Sequence, residues 1–208
     1  RESWEIRPKT EKPGKINCSF YPEGGNIIMG KPCRIAFKVT DDTGFGVDAT
    51  GVLKNSGHIF STLHDGMGCF TFIPQENRNQ VEITVGDKSH TFELPRPEEI
   101  GCALTVNPCG SDSIKLKVDC TSGLADNCIG MTLTCRGELL DFCTFDVNQP
   151  VEKTISMRGV PEGVCRIHIF DSAGNIYASR SIYHHSGEFK APELEVIPDK
   201  QYYNPFEK

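Results

Sequence analysis

Apolar and polar residues alternate with a period of two along most of the chain. The clearest run is Cys33–Thr40. Cys33, Ile35, Phe37 and Val39 share one face, and Arg34, Lys38 and Thr40 share the other. That is the pattern of a strand with one buried face. Asp41-Asp42-Thr43-Gly44 follows and is turn chemistry. The scheme recurs at 16–21, at 47–54 before Asn55-Ser56-Gly57, and at 58–64 before Asp65-Gly66. It recurs again at 69–73 before Pro74, at 80–85 before Gly86-Asp87, and at 89–94 before Pro95. Short strands at this spacing predict a β-sandwich.

Pro95-Arg96-Pro97-Glu98-Glu99 interrupts the alternation, and proline there removes ladder donors, so a domain boundary is expected at this point. Alternation restarts at 113–120, with Ile114, Leu116, Val118 and Cys120 inward. Runs at 131–135 and 138–147 flank Arg136-Gly137 as a hairpin. Runs at 164–170 and 176–183 flank Asp171-Ser172-Ala173-Gly174-Asn175. No window carries helical apolar spacing free of Gly or Pro, and one short helical turn at 123–128 is the most that is expected. The predicted fold is all-β: two tandem immunoglobulin-like β-sandwich domains. The expected organisation is a linker over 1–15, a first sandwich over 16–96 and a second over 97–186. Residues 187–208 are expected to hold a linker and, from Leu194, the first strand of a truncated third domain.

Length and charge narrow the picture. The 208 residues suit two domains rather than one core. A net charge of -6 argues against nucleic acid and against an anionic membrane surface as partner. No run approaches the ~20 apolar residues of a membrane span. The chain opens Arg1-Glu2-Ser3-Trp4 and ends on Tyr202-Tyr203-Asn204-Pro205-Phe206-Glu207-Lys208, which reads as a piece of a longer protein. Ten cysteines, none in a Cys-x-x-Cys spacing, leave three readings open: buried free thiols, disulfides in an oxidising compartment, or a metal site.

Candidate chemistry is sparse. His64-Asp65 has residue types for a metal or acid–base site, but Gly66 and Gly68 directly after it favour a strand end and a turn. His184-His185 lies in a polar stretch, and Cys109-Gly110 marks an exposed turn thiol. Asn17-Cys18-Ser19 fits the glycosylation tripeptide. There is no phosphate loop, no Gly-x-Ser-x-Gly and no zinc-protease helix. No catalysis, metal or cofactor is therefore expected.

Two longer motifs carry a resemblance. Tyr21-Pro22-Glu23-Gly24-Gly25-Asn26 precedes Gly30-Lys31-Pro32-Cys33, and His64-Asp65-Gly66-Met67-Gly68-Cys69-Phe70 follows within the same predicted domain. Together they resemble the macroglobulin-type domains of bacterial α-2-macroglobulin-like proteins. Pro161-Glu162-Gly163-Val164 through Asp171 resembles the closing strands of a following domain of that type, and Ile197-Pro198-Asp199-Lys200 the start of another. The resemblance implies that Pro22, Glu23, Gly24, Gly25, His64, Asp65, Gly66, Met67 and Gly68 build fold rather than a site. It implies an extracytoplasmic protein in the periplasm or at the outer membrane of a Gram-negative bacterium. The module would be non-catalytic, would position domains and would contact protein partners or other domains of its own chain, with no nucleic acid. Full-length relatives include protease traps with a Cys-Gly-Glu-Gln thioester; Cys109-Gly110-Ser111-Asp112 is not that motif. A carbohydrate-binding or adhesion module is the alternative, with Tyr177, Tyr183, Tyr202 and Tyr203 as candidate aromatics. A thiol enzyme or redox protein is a third.

Overall fold

The computed structural model describes residues 14–110 and 112–185. The expectations for Trp4, most of the first linker, Tyr202, Tyr203 and the strand at Leu194 lie outside the described residues. All regular structure among the described residues is β. The strands are β1 (Asn17–Pro22), β2 (Cys33–Thr40), β3 (Thr50–Leu53), β4 (His58–Ser61), β5 (Met67–Phe72), β6 (Gln80–Val85) and β7 (Lys88–Glu93). They continue as β8 (Cys102–Pro108), β9 (Ser113–Cys120), β10 (Cys128–Cys135), β11 (Glu138–Asp146), β12 (Val151–Ser156), β13 (Gly163–Phe170) and β14 (Ile176–His184).

The two sets of seven share one plan. The first builds a sheet β1-β2-β5 and a sheet β4-β3-β6-β7; the second builds β12-β9-β8 and β11-β10-β13-β14. All strand pairs within the sheets are antiparallel. In each set the second strand joins the first and fifth, and the chain crosses between sheets after the second, fourth and fifth strands. This is the three-plus-four arrangement of an immunoglobulin-like sandwich.

Alternation explains the cores. Ile35, Phe37 and Val39 are buried with Val81 and Ile83 across the first sandwich. Leu116, Val118, Ile129, Met131, Leu133, Ile167 and Ile169 fill the second. Each such side chain contributes roughly 1.5–3 kcal/mol of burial. Ala103 of β8 packs into the first core rather than the second, so the two cores touch at the join.

Two departures from the sequence pattern have physical causes. Strands β8 and β12 lie outside the runs that the alternation predicts. β12 pairs with β9 and buries only Ile155 fully, so its apolar signal is thin. β8 follows the proline segment at once, although Cys102, Leu104 and Val106 do alternate. The helical turn expected at 123–128 is absent; bends and turns lead straight into β10. Leu124 packs against the second core from this loop, and the Asp126 carboxylate accepts from the Ser172 amide at 2.8 Å. Those tertiary contacts hold the loop open.

One turn is built twice. Asp41 and Asp171 are buried, and each receives the backbone amide of the residue four positions on, at 3.0 and 2.8 Å. The Thr43 hydroxyl adds a 2.7 Å bond to Asp41, and Asn175 and Tyr177 add bonds of 2.8 and 3.2 Å to Asp171. These donors, led by the Thr43 hydroxyl and the Asn175 amide respectively, hold both carboxyls below the usual carboxylate range. A folded-state value below the unfolded one adds stability that is present above the usual range and is lost as pH falls through it. Denaturant unfolding should therefore give a flat midpoint from neutral down to about pH 5 and a falling one below about pH 4. In Asp171→Asn that acid slope should be shallower; an unchanged slope would exclude Asp171 as a contributor.

Candidate functional site

The two turn motifs sit at opposite ends of the paired span of β2. Pro22 faces Ile35 near its start, and Met67 faces Lys38 near its end. They do not meet in a shared site.

The His64–Gly68 motif makes the crossing from β4 to β5. Asp65 and Gly66 both take positive φ, 47° and 71°, and the Met67 amide bonds the His64 carbonyl at 2.8 Å. Two positive φ values in sequence are the requirement of a type I′ turn, which Asp-Gly meets at least strain. Gly66 also lies against β2: a Cβ there would stand 2.1 Å from the Val39 carbonyl oxygen. His64 is exposed, and Asp65 pairs with Lys38 at 3.3 Å. Asp65 therefore forms an ion pair with Lys38 rather than an acid–base pair with His64.

The Pro22–Gly25 motif does more than turn the chain. Strand β8 is the edge of one sheet of the second sandwich and β14 is the edge of the other. Edge strands carry backbone donors with no strand to receive them. The motif supplies the acceptors for both. The Val106 amide on β8 donates to Glu23 Oε1 at 3.0 Å, and the Ser179 amide on β14 donates to the Gly24 carbonyl at 2.9 Å. The turn of the first sandwich thus sits over the open seam of the second.

Glu23 is the centre of this joint. Its side chain is 3% exposed. Arg34 Nη1 of the first sandwich lies 3.3 Å from Oε2, and Arg180 Nε of β14 lies 3.5 Å from Oε1. Arg34 also reaches across to Asn107 at 2.6 Å, and Lys31 pairs with Asp119 of β9 at 2.6 Å. A buried carboxylate is tolerable only when paired and hydrogen-bonded. Oε1 meets both conditions, whereas Oε2 and Arg180 Nε are buried without a hydrogen bond and are held by charge alone. The proline segment is tied down too: the Met29 amide donates to the Glu98 carbonyl at 2.9 Å and the Glu98 amide to the Ile27 carbonyl at 2.8 Å.

Gly24 is buried at φ 89°, where its Cβ would meet Leu104 at 3.3 Å and Ala178 at 3.5 Å, both in the second sandwich. Gly24→Ala should cost about 1–2 kcal/mol from its backbone conformation. Denaturant unfolding of that variant beside Gly25→Ala, whose Cβ would meet nothing, would separate backbone strain from joint packing.

The remaining sequence candidates are scattered. Asn17 is exposed on β1, opposite Thr40. Cys109 is exposed, as are Cys69 and Cys128, which sequence spacing did not mark. His185 Nδ1 lies 3.4 Å from Glu162 Oε2. Tyr183 is exposed and bonds Glu162 at 2.8 Å, whereas Tyr177 is half-buried against Asp171. They stand six residues apart on β14, about 20 Å, too far to form one stacking platform. Among the described residues no three His, Cys, Asp or Glu side chains gather as metal ligands do.

No family model matches the sequence, and no curated protein matches it. Solved structures of similar shape include a biofilm-associated protein's BSP domain, at 16% identity and TM-score 0.36, over 82% of this chain and 30% of that one. They include a 1.5-MDa bacterial ice-binding adhesin, at 17% identity and TM-score 0.32, over 84% of this chain and 65% of that one. The native form of E. coli alpha-2-macroglobulin is a further one, at 12% identity and TM-score 0.26, over 80% of this chain and 14% of that one. The chain spans less than two thirds of the length of each of these three. At such identities and scores the likenesses add nothing to what the strand order shows. That order is an immunoglobulin-like sandwich built twice, and it does not single out the macroglobulin type.

Proposed function

We propose that this chain is a non-catalytic structural and binding module of a larger extracytoplasmic protein. Its two sandwiches, of macroglobulin type and divided near Pro95–Pro97, are held at a fixed angle and present their surfaces to protein partners. Both turn motifs serve the fold: His64–Gly68 carries the chain between sheets, and Pro22–Gly25 seats one sandwich on the other. Protease trapping or nutrient uptake would belong to other parts of the longer protein, in the periplasm or at the outer membrane.

The observation that carries this reading is the Glu23 joint. A chain whose task was only to tether two independent domains has no use for a buried carboxylate held from both sides. Such a contact opposes the relative motion that is the default for adjoining domains. Small-angle scattering tests it directly. A single rigid two-lobed particle is the expected result, and a profile that requires two freely tumbling lobes would overturn the reading of a rigid module.

A further inference from the structure

Ten cysteines are present, and their partners across the ladders differ. Cys18 faces Val39, Cys33 faces Phe72, Cys69 faces Ala36, Cys128 faces Asp146 and Cys143 faces Met131. Two pairs are unlike these. Cys102 of β8 stands directly opposite Cys120 of β9, and Cys135 of β10 stands directly opposite Cys165 of β13. All four are buried in the second sandwich, one pair in each of its sheets.

The ladder position of each pair follows from its neighbours. The Val106 amide points away from β9, to Glu23. Residues two and four positions back share its orientation, so Cys102 and Cys120 form a pair without mutual backbone bonds. In the second case Arg136 and Gly137 take φ 51° and 86°, the two-residue turn that closes on a backbone-bonded Cys135–Glu138 pair. Cys135 therefore turns its backbone toward β11, and its pair with Cys165 also lacks mutual backbone bonds. At such positions the Cα atoms stand ~4.5 Å apart with side chains on one face, inside the ~4.4–6.8 Å window of a disulfide. In each pair the partner thiol raises its neighbour's pKa, as Cys120 does for Cys102 and Cys135 for Cys165.

We propose that Cys102–Cys120 and Cys135–Cys165 are disulfide sites, each stapling two adjacent strands of the second sandwich when the chain folds in the presence of a small-molecule disulfide. The thiolate of one cysteine attacks the small disulfide, forming a mixed disulfide and releasing one small thiol. The opposite thiolate then attacks the protein sulfur of that mixed disulfide and releases the second small thiol. Two cysteines lose two protons and two electrons, and one small disulfide is reduced to two thiols. The other six cysteines have no opposed partner and stay as thiols.

The timing follows from burial. The neighbouring Cys120 thiol and burial push the Cys102 thiol far up, and burial and Cys135 push Cys165 up to about 12. Thiolate is scarce once the sandwich has closed, so the bridges form during folding and not afterwards.

The test uses the whole chain. It is unfolded and reduced, refolded with oxidised and reduced glutathione, alkylated in denaturant, digested and read by tandem mass spectrometry. Fragment ions are needed because Cys120, Cys128 and Cys135 share one peptide between Lys117 and Arg136. The expected result is the two named linkages, each two hydrogens lighter than its free thiols, with six alkylated cysteines. A raised denaturation midpoint that returns to the reduced value on adding dithiothreitol should accompany them. Folded protein whose four core thiols are all alkylated, or whose linkages join other partners, would overturn the proposal. A bridge found in one pair only would overturn the assignment of the other.

Discussion

Glu23→Ala should lower the stability of the chain by about 2–3 kcal/mol and loosen the two sandwiches against each other. The substitution leaves the Val106 amide on β8 without its acceptor, and a buried orphaned donor costs about 1–3 kcal/mol. Arg34 and Arg180 lose their common partner as well. They are 33% and 41% exposed, so water can take them up, and the loss stays below the ~3–5 kcal/mol of breaking a fully buried pair. Glu23→Gln keeps an acceptor for Val106 but not the charge, so it should fall between wild type and Ala. The readouts are denaturant unfolding and scattering on the same samples. The expected signature is a larger radius of gyration at unchanged strand content. A variant as compact and as stable as wild type would show that the joint does not depend on Glu23.

Phe37→Ala should be the more damaging change, about 3–5 kcal/mol, because it opens a cavity the core cannot close. Phe37 is 2% exposed. Its ring meets Phe60 edge-on at 5.0 Å and Phe70 at 6.1 Å, and Phe60 stacks on Phe70 at 4.2 Å. Phe37 and Phe70 come from one sheet and Phe60 from the other, so the cluster spans the sandwich. Two glycines make room for it. A Cβ on Gly68 would stand 2.6 Å from the Phe37 ring, and one on Gly51 would stand 2.2 Å from the Phe60 ring. At these two glycines each ring lies against backbone, which cannot swing in to fill a void. Phe142→Ala is the control: that ring is 54% exposed, and its loss should stay within about 0.5 kcal/mol. Similar losses at both positions, measured by chemical unfolding, would remove the aromatic cluster as the organiser of the first core.

Much of the fold was legible because its determinants are local. The bounds of β2, β6 and β9 follow from alternation alone, since each buries one face and wets the other. Asp65-Gly66 and Arg136-Gly137 announce turns because glycine there relieves a positive φ. The paired Asp41 and Asp171 turns show the same logic: one short motif folds alike after β2 and after β13, two unlike places in the sandwich. β8 lies outside the predicted runs although Cys102, Leu104 and Val106 alternate, a signal sufficient to mark it. The loop at 123–128 depended on Asp126 meeting Ser172, which no local pattern announces.

The candidate site was legible only in part. Its residues could be named from the Pro22–Gly25 and His64–Gly68 motifs, but not its role. In sequence Glu23 is a polar residue in a turn, where exposure is the ordinary outcome. Its burial depends on Val106 and Arg180, which arrive from the edges of two sheets in another sandwich. The thiols make the same point. Cys102 and Cys120 read separately as inward positions, and only the register of β8 against β9 sets one opposite the other. What the sequence determined by itself was most of the strands, the buried face of each of these and many of the turns that join them, because these depend on neighbours a few positions away. What only the tertiary structure decided was which edge meets which turn, and which sulfur meets which, because those contacts arise when distant strands choose partner and register under the demand to bury apolar surface and satisfy every buried polar group.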